Sequence, residues 1–191
     1  MGSLHIIMGP MFAGKSTRLI NRITELLENR IPQSEILVFN HQIDNRYTGD
    51  SSLCTHDGKS IKSIPISKIN DVLHLEDVNT PKYIFIDEAQ FFEDLYLIKR
   101  LVFELGHNVY ISGLDGDYKQ EPFVLPSLHD QLSAYTSILN LVPLATTICK
   151  LCANCSECNA PAPFTKRVVK SDEKILVGGA SDYKPVCIKH L

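Results

Sequence analysis

Gly9-Pro10-Met11-Phe12-Ala13-Gly14-Lys15-Ser16, followed by Thr17, carries the strongest chemical signal in this sequence. Glycines at both ends of such a loop let the backbone wrap until its N–H groups converge on phosphate oxygens. The helix start that follows adds a partial positive charge. The lysine reaches the outer phosphates, and the serine hydroxyl ligates Mg2+. A nucleoside triphosphate is the ligand this pattern implies. The second signal is Asp87-Glu88, directly after the apolar run Tyr83 to Ile86. A carboxylate at the carboxyl end of a parallel strand beside a phosphate loop holds Mg2+, which is the role expected of Asp87. Glu88 is then free to serve as a base. Nucleotide hydrolases carry the same pair, with the glutamate activating water, so the pair does not separate a kinase from an ATPase.

Six cysteines form the third signal, and five of them fall in residues 149–191. Cys149, Cys152, Cys155 and Cys158 recur every third residue. That run admits an iron–sulfur cluster. It equally admits one Cys-x-x-Cys knuckle completed by the distant pair Cys187 and His190, a closed tetrahedral zinc site. Scattered disulfides would not crowd in this way. The chain also opens straight into Leu4-His5-Ile6-Ile7-Met8 and the glycine loop, with no signal peptide in view, so reduced thiols in a cytoplasmic protein are expected.

These groups need elements to hold them. Leu4 to Met8 reads as a strand leading into the loop. From Lys15 to about Asn29, Leu19, Ile20, Ile23, Leu26 and Leu27 recur at helical spacing, and Pro32 ends the helix. Glu35 to Phe39, Tyr83 to Ile86 and Val109 to Ile111 read as strands buried on both faces, since the apolar runs they carry (Ile36 to Phe39 in the first) are continuous rather than alternating. Ser67 is expected to cap a short helix reaching about Leu75. Leu95, Ile98, Leu101, Val102 and Leu105 place another helix before Gly106. The alternation predicts an α/β fold with a parallel sheet and helices on both faces. From Cys149 onward cysteines, prolines and glycines replace helical periods, which divides the chain into 1–148, a nucleotide-binding unit, and 149–191, a small second one. With 44% hydrophobic and 21% charged residues and a formal charge of −3, the chain lacks the basic excess of a nucleic-acid binder. It also lacks the apolar run needed for a membrane span.

The blocks, taken in order, resemble cellular-type (type II) thymidine kinases. After the loop at 9 to 17 come Asp44-Asn45-Arg46-Tyr47, Thr55-His56-Asp57 and Asp87-Glu88-Ala89-Gln90-Phe91-Phe92. Leu114-Asp115-Gly116, Pro122-Phe123, Leu139 to Ala145, Thr165-Lys166-Arg167, and Gly178-Gly179-Ala180 with Tyr183 follow. The resemblance implies a phosphate-loop kinase core and a small zinc-binding lasso domain that closes as a lid. The activity implied is transfer of the ATP γ-phosphoryl group to the 5′-hydroxyl of thymidine, and of deoxyuridine, for nucleotide salvage. It places Glu88 on the 5′-hydroxyl proton and Asp57 beside the phosphates. Met11, Leu114 and Thr165 fall around the thymine methyl, and Phe91 and Phe123 on either side of the base. Tyr183 and the backbone of Leu176, Val177 and Gly178 fall in the lasso. The resemblance selects Cys155, Cys158, Cys187 and His190 for zinc, leaving Cys149 and Cys152 as buried free thiols. It further implies a homotetramer and feedback inhibition by thymidine triphosphate (dTTP), with no polymer or membrane partner.

The sequence departs from the family pattern in three places. Asn40 stands where a lysine is common, Gly58 where some members carry arginine, and Val124 to Ser137 forms an insertion. The competing reading is a phosphate-loop ATPase or GTPase switch with a zinc ribbon. The sequence holds no Asn/Thr-Lys-x-Asp guanine motif, and Cys152 to Cys158 contains no lysine or arginine. A broader deoxynucleoside kinase would differ only in its base pocket.

Overall fold

The computed structural model describes residues 2–43, 52–54, 60–75, 78, 80, 82–125, 137–171, 173 and 175–191. Asp44 to Tyr47, Thr55 to Lys59 (with Asp57) and most of the 124–137 insertion lie outside the described residues.

Strand β1 (Ser3–Met8) leads into the glycine loop, and helix α1 (Lys15–Glu28) leaves it. A single 3-10 turn at Gln33–Glu35 precedes β2 (Ile36–His41), so Glu35 lies just outside the strand expected to include it. β3 (Ser52–Cys54) and β4 (Ser60–Lys62) pair antiparallel, and β5 (Ile64–Ile66) and α2 (Ile69–Leu73) follow. β6 (Tyr83–Ile86), α3 (Ile98–Phe103), β7 (Asn108–Gly113) and β8 (Thr147–Lys150) complete the main layer. The sheet order is β5-β2-β6-β7-β1-β8, and every neighbouring pair is parallel.

The continuous apolar runs are explained by burial on both faces, since successive side chains in a strand point to opposite sides. Ile84 and Ile86 join Leu4, Ile6, Phe39, Val109 and Ile111 beneath residues of α2 and α3. Phe85, between them, joins Ile7, Val38 and Tyr110 beneath Leu19, Ile20, Ile23 and Leu26 of α1. The α/β sheet with helices on both faces is the architecture expected.

Two helix starts differ from expectation. Ser67 does not cap α2. Asp94 accepts from the Ile69 and Asn70 N–H groups at 2.8 and 2.9 Å, and Asp71 accepts from the Lys68 N–H at 3.1 Å. Carboxylates brought in by the fold take the exposed donors in place of the nearby hydroxyl. The helix read from Leu95 opens with a 3-10 turn, Leu95–Leu97, in which the Leu97 N–H donates to the Asp94 carbonyl at 2.9 Å.

Four short strands end the chain: β9 (Ala153–Asn154) with β10 (Pro161–Ala162), and β11 (Phe164–Arg167) with β12 (Tyr183–Val186), both antiparallel. The large sheet runs through Lys150, past the change of character near residue 148, because β8 pairs with β1. β8 is an edge strand, which corrects the reading of two buried thiols: Cys149 is half-buried and Cys152 exposed. Among the described residues, no helix is long and apolar enough to cross a membrane.

Candidate active site

The loop between β1 and α1 is built to receive an anion. Gly14 precedes α1 at φ 77°, a left-handed conformation that side chains disfavour, and no acidic residue occupies the first turn of the helix. The first N–H groups of α1 are therefore not opposed by a carboxylate on their own turn. Lys15 folds along the loop, its Nζ donating to the Pro10 carbonyl at 2.7 Å.

Asp87 emerges from β6, with β7 between it and the phosphate-loop strand. Register sets Ile86 beside Ile111 on β7, which brings the next residue, Asp87, to Ser112. The Ser16 hydroxyl donates to Asp87 Oδ2 at 2.7 Å, and the Ser112 hydroxyl donates to Oδ1. Burial, with the charge of Glu88, raises the Asp87 carboxyl from 3.8 to about 6, while the two serine bonds pull the other way. A cation at Ser16 and Asp87 would supply what this buried carboxylate lacks. The pair fits the Mg2+ of a bound nucleotide.

Glu88 is in left-handed backbone, φ 54° and ψ 39°, the kind of strain found where function fixes a side chain. Gln90, fully buried, donates from Nε2 to Glu88 Oε2 at 2.5 Å and accepts the Leu114 N–H at 3.0 Å. Leu114 thus comes to the same corner as Glu88. Across the loop, the Met11 N–H donates to the Thr165 hydroxyl at 2.9 Å, joining the phosphate loop to β11. Phe91 and Phe123 meet edge to face with ring centroids 6.0 Å apart.

The residues expected in the lasso form a second group. Tyr183 donates to the Leu176 carbonyl at 2.7 Å and accepts from Arg167 Nε and Nη2 at 3.2 and 2.8 Å. Arg167 also donates to the carbonyls of Ser171 and Glu173, and its guanidinium lies 3.7 Å from the ring centroid of Tyr118. Val177 is exposed, and Gly178 sits against Asp182. Asp57 is outside the described residues.

Cys155, Cys158, Cys187 and His190 present ligand atoms that all lie within 4.8 Å of one another. Cys158 Sγ is 3.6 Å from Cys187 Sγ, and His190 Nδ1 is 3.5 and 3.4 Å from the sulfurs of Cys155 and Cys187. A disulfide needs about 2.05 Å between sulfurs. A tetrahedral ion with bonds of about 2.3 Å to sulfur and about 2.0 Å to nitrogen sets edges near 3.8 and 3.6 Å. These three distances match the ion, so the four residues could hold a metal. Burial opposes ionisation of Cys155, but backbone donors from Cys187, Glu157 and Cys158, with His190, bring its thiol down to about 6. His190 is tied down: its N–H donates to the Cys187 carbonyl at 3.0 Å, and its carbonyl accepts from Lys166 Nζ at 3.0 Å. Cys149 lies in β8 and Cys152 outside the set, which removes the four-cysteine cluster.

Ser112, Gln90 and Arg167 carry no role in the sequence reading. The signal for Ser112 was a serine closing an apolar strand. Gln90 and Arg167 stood inside matched blocks without a partner to name.

A phosphate loop ahead of a helix, with a buried strand-end carboxylate bonded to the loop serine, defines a phosphate-loop nucleotide-binding α/β protein. The thymidine kinase family model matches residues 2–191, and the chain belongs to that family. It is 37% identical over 186 residues to the cytosolic thymidine kinase of Homo sapiens, covering 97% of this chain and 71% of that protein. It is 37% identical over 193 residues to a thymidine kinase of Oryza sativa subsp. japonica, covering 99% and 66%. A vaccinia virus (strain Ankara) thymidine kinase is 35% identical over 188 residues, covering 98% and 96%.

Proposed function

We propose that this chain phosphorylates thymidine at its 5′-hydroxyl with ATP as donor. It is a kinase by family, and the observation that carries the mechanism is the phosphate-loop residue Ser16 bonded to buried Asp87, with Glu88 next in sequence and its carboxylate held by Gln90. In this reading Glu88 accepts the 5′-hydroxyl proton as the oxygen forms its bond to the γ-phosphorus, and the bond from that phosphorus to the ADP oxygen breaks. Phosphoryl transfer passes through a loose transition state, so positioning and charge neutralisation outweigh proton removal. Lys15 and the loop N–H groups hold the phosphates, and Ser16 and Asp87 hold Mg2+. Bound there, Mg2+ neutralises charge developing on the phosphate oxygens.

Met11, Leu114 and Thr165 surround the thymine methyl, with Phe91 and Phe123 against the base. Two aromatic faces on a base need about 7 Å between them, so one of these rings turns from its edge-on pose when nucleoside binds. Tyr183 holds Leu176 so that the backbone of 176–178 faces the nucleoside as a lid, which excludes water and limits ATP hydrolysis. Zinc at Cys155, Cys158, Cys187 and His190 is structural, having four protein ligands and no open position. Deoxyuridine as a second substrate, a homotetramer, inhibition by dTTP and a cytoplasmic setting complete the proposal. The last is supported by the human relative, a cytosolic thymidine kinase.

The test is phosphorylation of thymidine, deoxyuridine and deoxycytidine by the wild type and by Glu88→Gln. Product from the first two alone, formed about 10²- to 10⁴-fold more slowly on substitution, supports the reading. Equal use of deoxycytidine, or full activity of Glu88→Gln, overturns it.

A further inference from the structure

We propose that Gln90 is the positioning residue for Glu88: its carboxamide, anchored on the Leu114 N–H, holds the Glu88 carboxylate at the angle needed to meet the substrate hydroxyl. The inference rests on Glu88 being the proton acceptor.

The chemistry of the two partners fixes which way the amide points. Leu114 offers only an N–H there, so it requires the oxygen of Gln90, and a carboxylate can only accept, so Glu88 requires the NH2. Both ends are satisfied in one orientation and neither in the other. Gln90 is fully buried and sits in a single 3-10 turn, Ala89–Phe91, whose start is Glu88 itself. The anchor is rigid, since Leu114 directly follows β7, a strand inside the sheet. Gly113 leaves the room: a Cβ there would lie 2.6 Å from Gln90 Oε1 and 3.2 Å from the Gln90 nitrogen. Glu88 stands in left-handed backbone, and the Gln90 bond fixes the direction of its carboxylate.

Gln90 touches neither substrate in this account. It acts through Glu88, and removing it should therefore matter only while the Glu88 carboxylate is present. Gln90→Met keeps length and burial and deletes both bonds. Gly113→Ala, which drives a methyl toward the amide oxygen, perturbs the same contact without changing Gln90. Each is compared with wild type, alone and combined with Glu88→Gln, by single-turnover and steady-state thymidine phosphorylation, with thermal denaturation confirming the fold. Gln90→Met is expected to lower the rate by on the order of 10- to 100-fold, as a small misplacement of a reacting group does. KM for ATP should stay within about twofold. In the Glu88→Gln background the same change should cost less than about twofold, because there is no carboxylate left to place.

Three results would overturn the proposal. Gln90→Met and Gly113→Ala could both leave the rate within about twofold of wild type while Glu88→Gln lowers it by about 100-fold or more. Either could cost as much with Glu88→Gln as without it, which is the mark of a purely structural role. Full turnover by Glu88→Gln would remove the base and this proposal with it, and only that result reaches the reading of the site. Should Gln90→Met fail to fold, Gly113→Ala carries the same comparison.

Discussion

Asp87 is 2% exposed, yet each carboxylate oxygen receives a hydroxyl hydrogen, from Ser16 on one side and Ser112 on the other. Hydrogen bonds to a charged group contribute about 1.5–3 kcal/mol, so Ser112→Ala should weaken Mg2+ binding in the presence of ATP by on the order of tenfold. Titration of nucleotide binding with Mg2+ in wild type and variant measures this, and equal affinities would show that Ser112 is mere packing. Asp87 and Ser16 could be read from the sequence because each belongs to a contiguous motif. Ser112 could not. Its role depends on β7 lying between β6 and β1, a pairing that brings together residues 25 positions apart.

At the scale of elements, β1, α1, β6 and β7 stand close to where their apolar periodicity placed them. What periodicity did not supply were the contacts made across elements: Asp94 at the start of α2, and Arg167 spanning β12, Ser171 and Tyr118. A planar guanidinium can stack on one ring while donating to several oxygens, and no single lysine does both. Arg167→Ala should therefore loosen the segment carrying Leu176 and raise KM for thymidine about tenfold, with KM for ATP little changed, and Arg167→Lys should recover only part of the loss. Steady-state kinetics with each substrate varied separately decides it; a change confined to ATP would refute the lid reading. On the sheet face covered by α1, Ile23→Ala leaves a cavity at a fully buried position and should cost about 2–5 kcal/mol, read by denaturant unfolding.

The whole molecule couples a parallel sheet to a small antiparallel unit through the Met11–Thr165 bond and the packing of Ala13 against the cluster that holds Cys155 and Cys187. If the set holds the proposed zinc, a chelator, or Cys158→Ser, should expose residues 153–191 to proteolysis while the sheet keeps its protection. Simultaneous loss of both would show that the unit is not separable. Acid stability has its own origin. His107 is fully buried, and its Nδ1 accepts the Lys82 N–H at 3.0 Å. Burial, aided by the Lys82 charge, holds its pKa below 6.5 against a backbone contact from Val78. The unfolded chain then binds the proton more readily than the fold. The stability His107 contributes is complete above about pH 6.5 and declines as pH falls from there toward the folded value. His107→Asn, which keeps an acceptor but does not titrate, should flatten the change in melting temperature between pH 7.5 and 5.5; an unaltered slope would assign the acid sensitivity elsewhere. The phosphate loop and the acidic strand end could be found from local spacing, whereas spacing left the cysteines open and only the family resemblance selected the set of four. The inner anchors of the site could not be found so, because they exist only once the sheet has formed.

The central claim is that ATP is spent on a nucleoside rather than on water. ADP release measured against added thymidine tests it most directly. Almost no ADP without nucleoside, then one thymidine monophosphate for each ADP once thymidine is present, is the predicted result; ADP formed at the same rate with and without thymidine would contradict it.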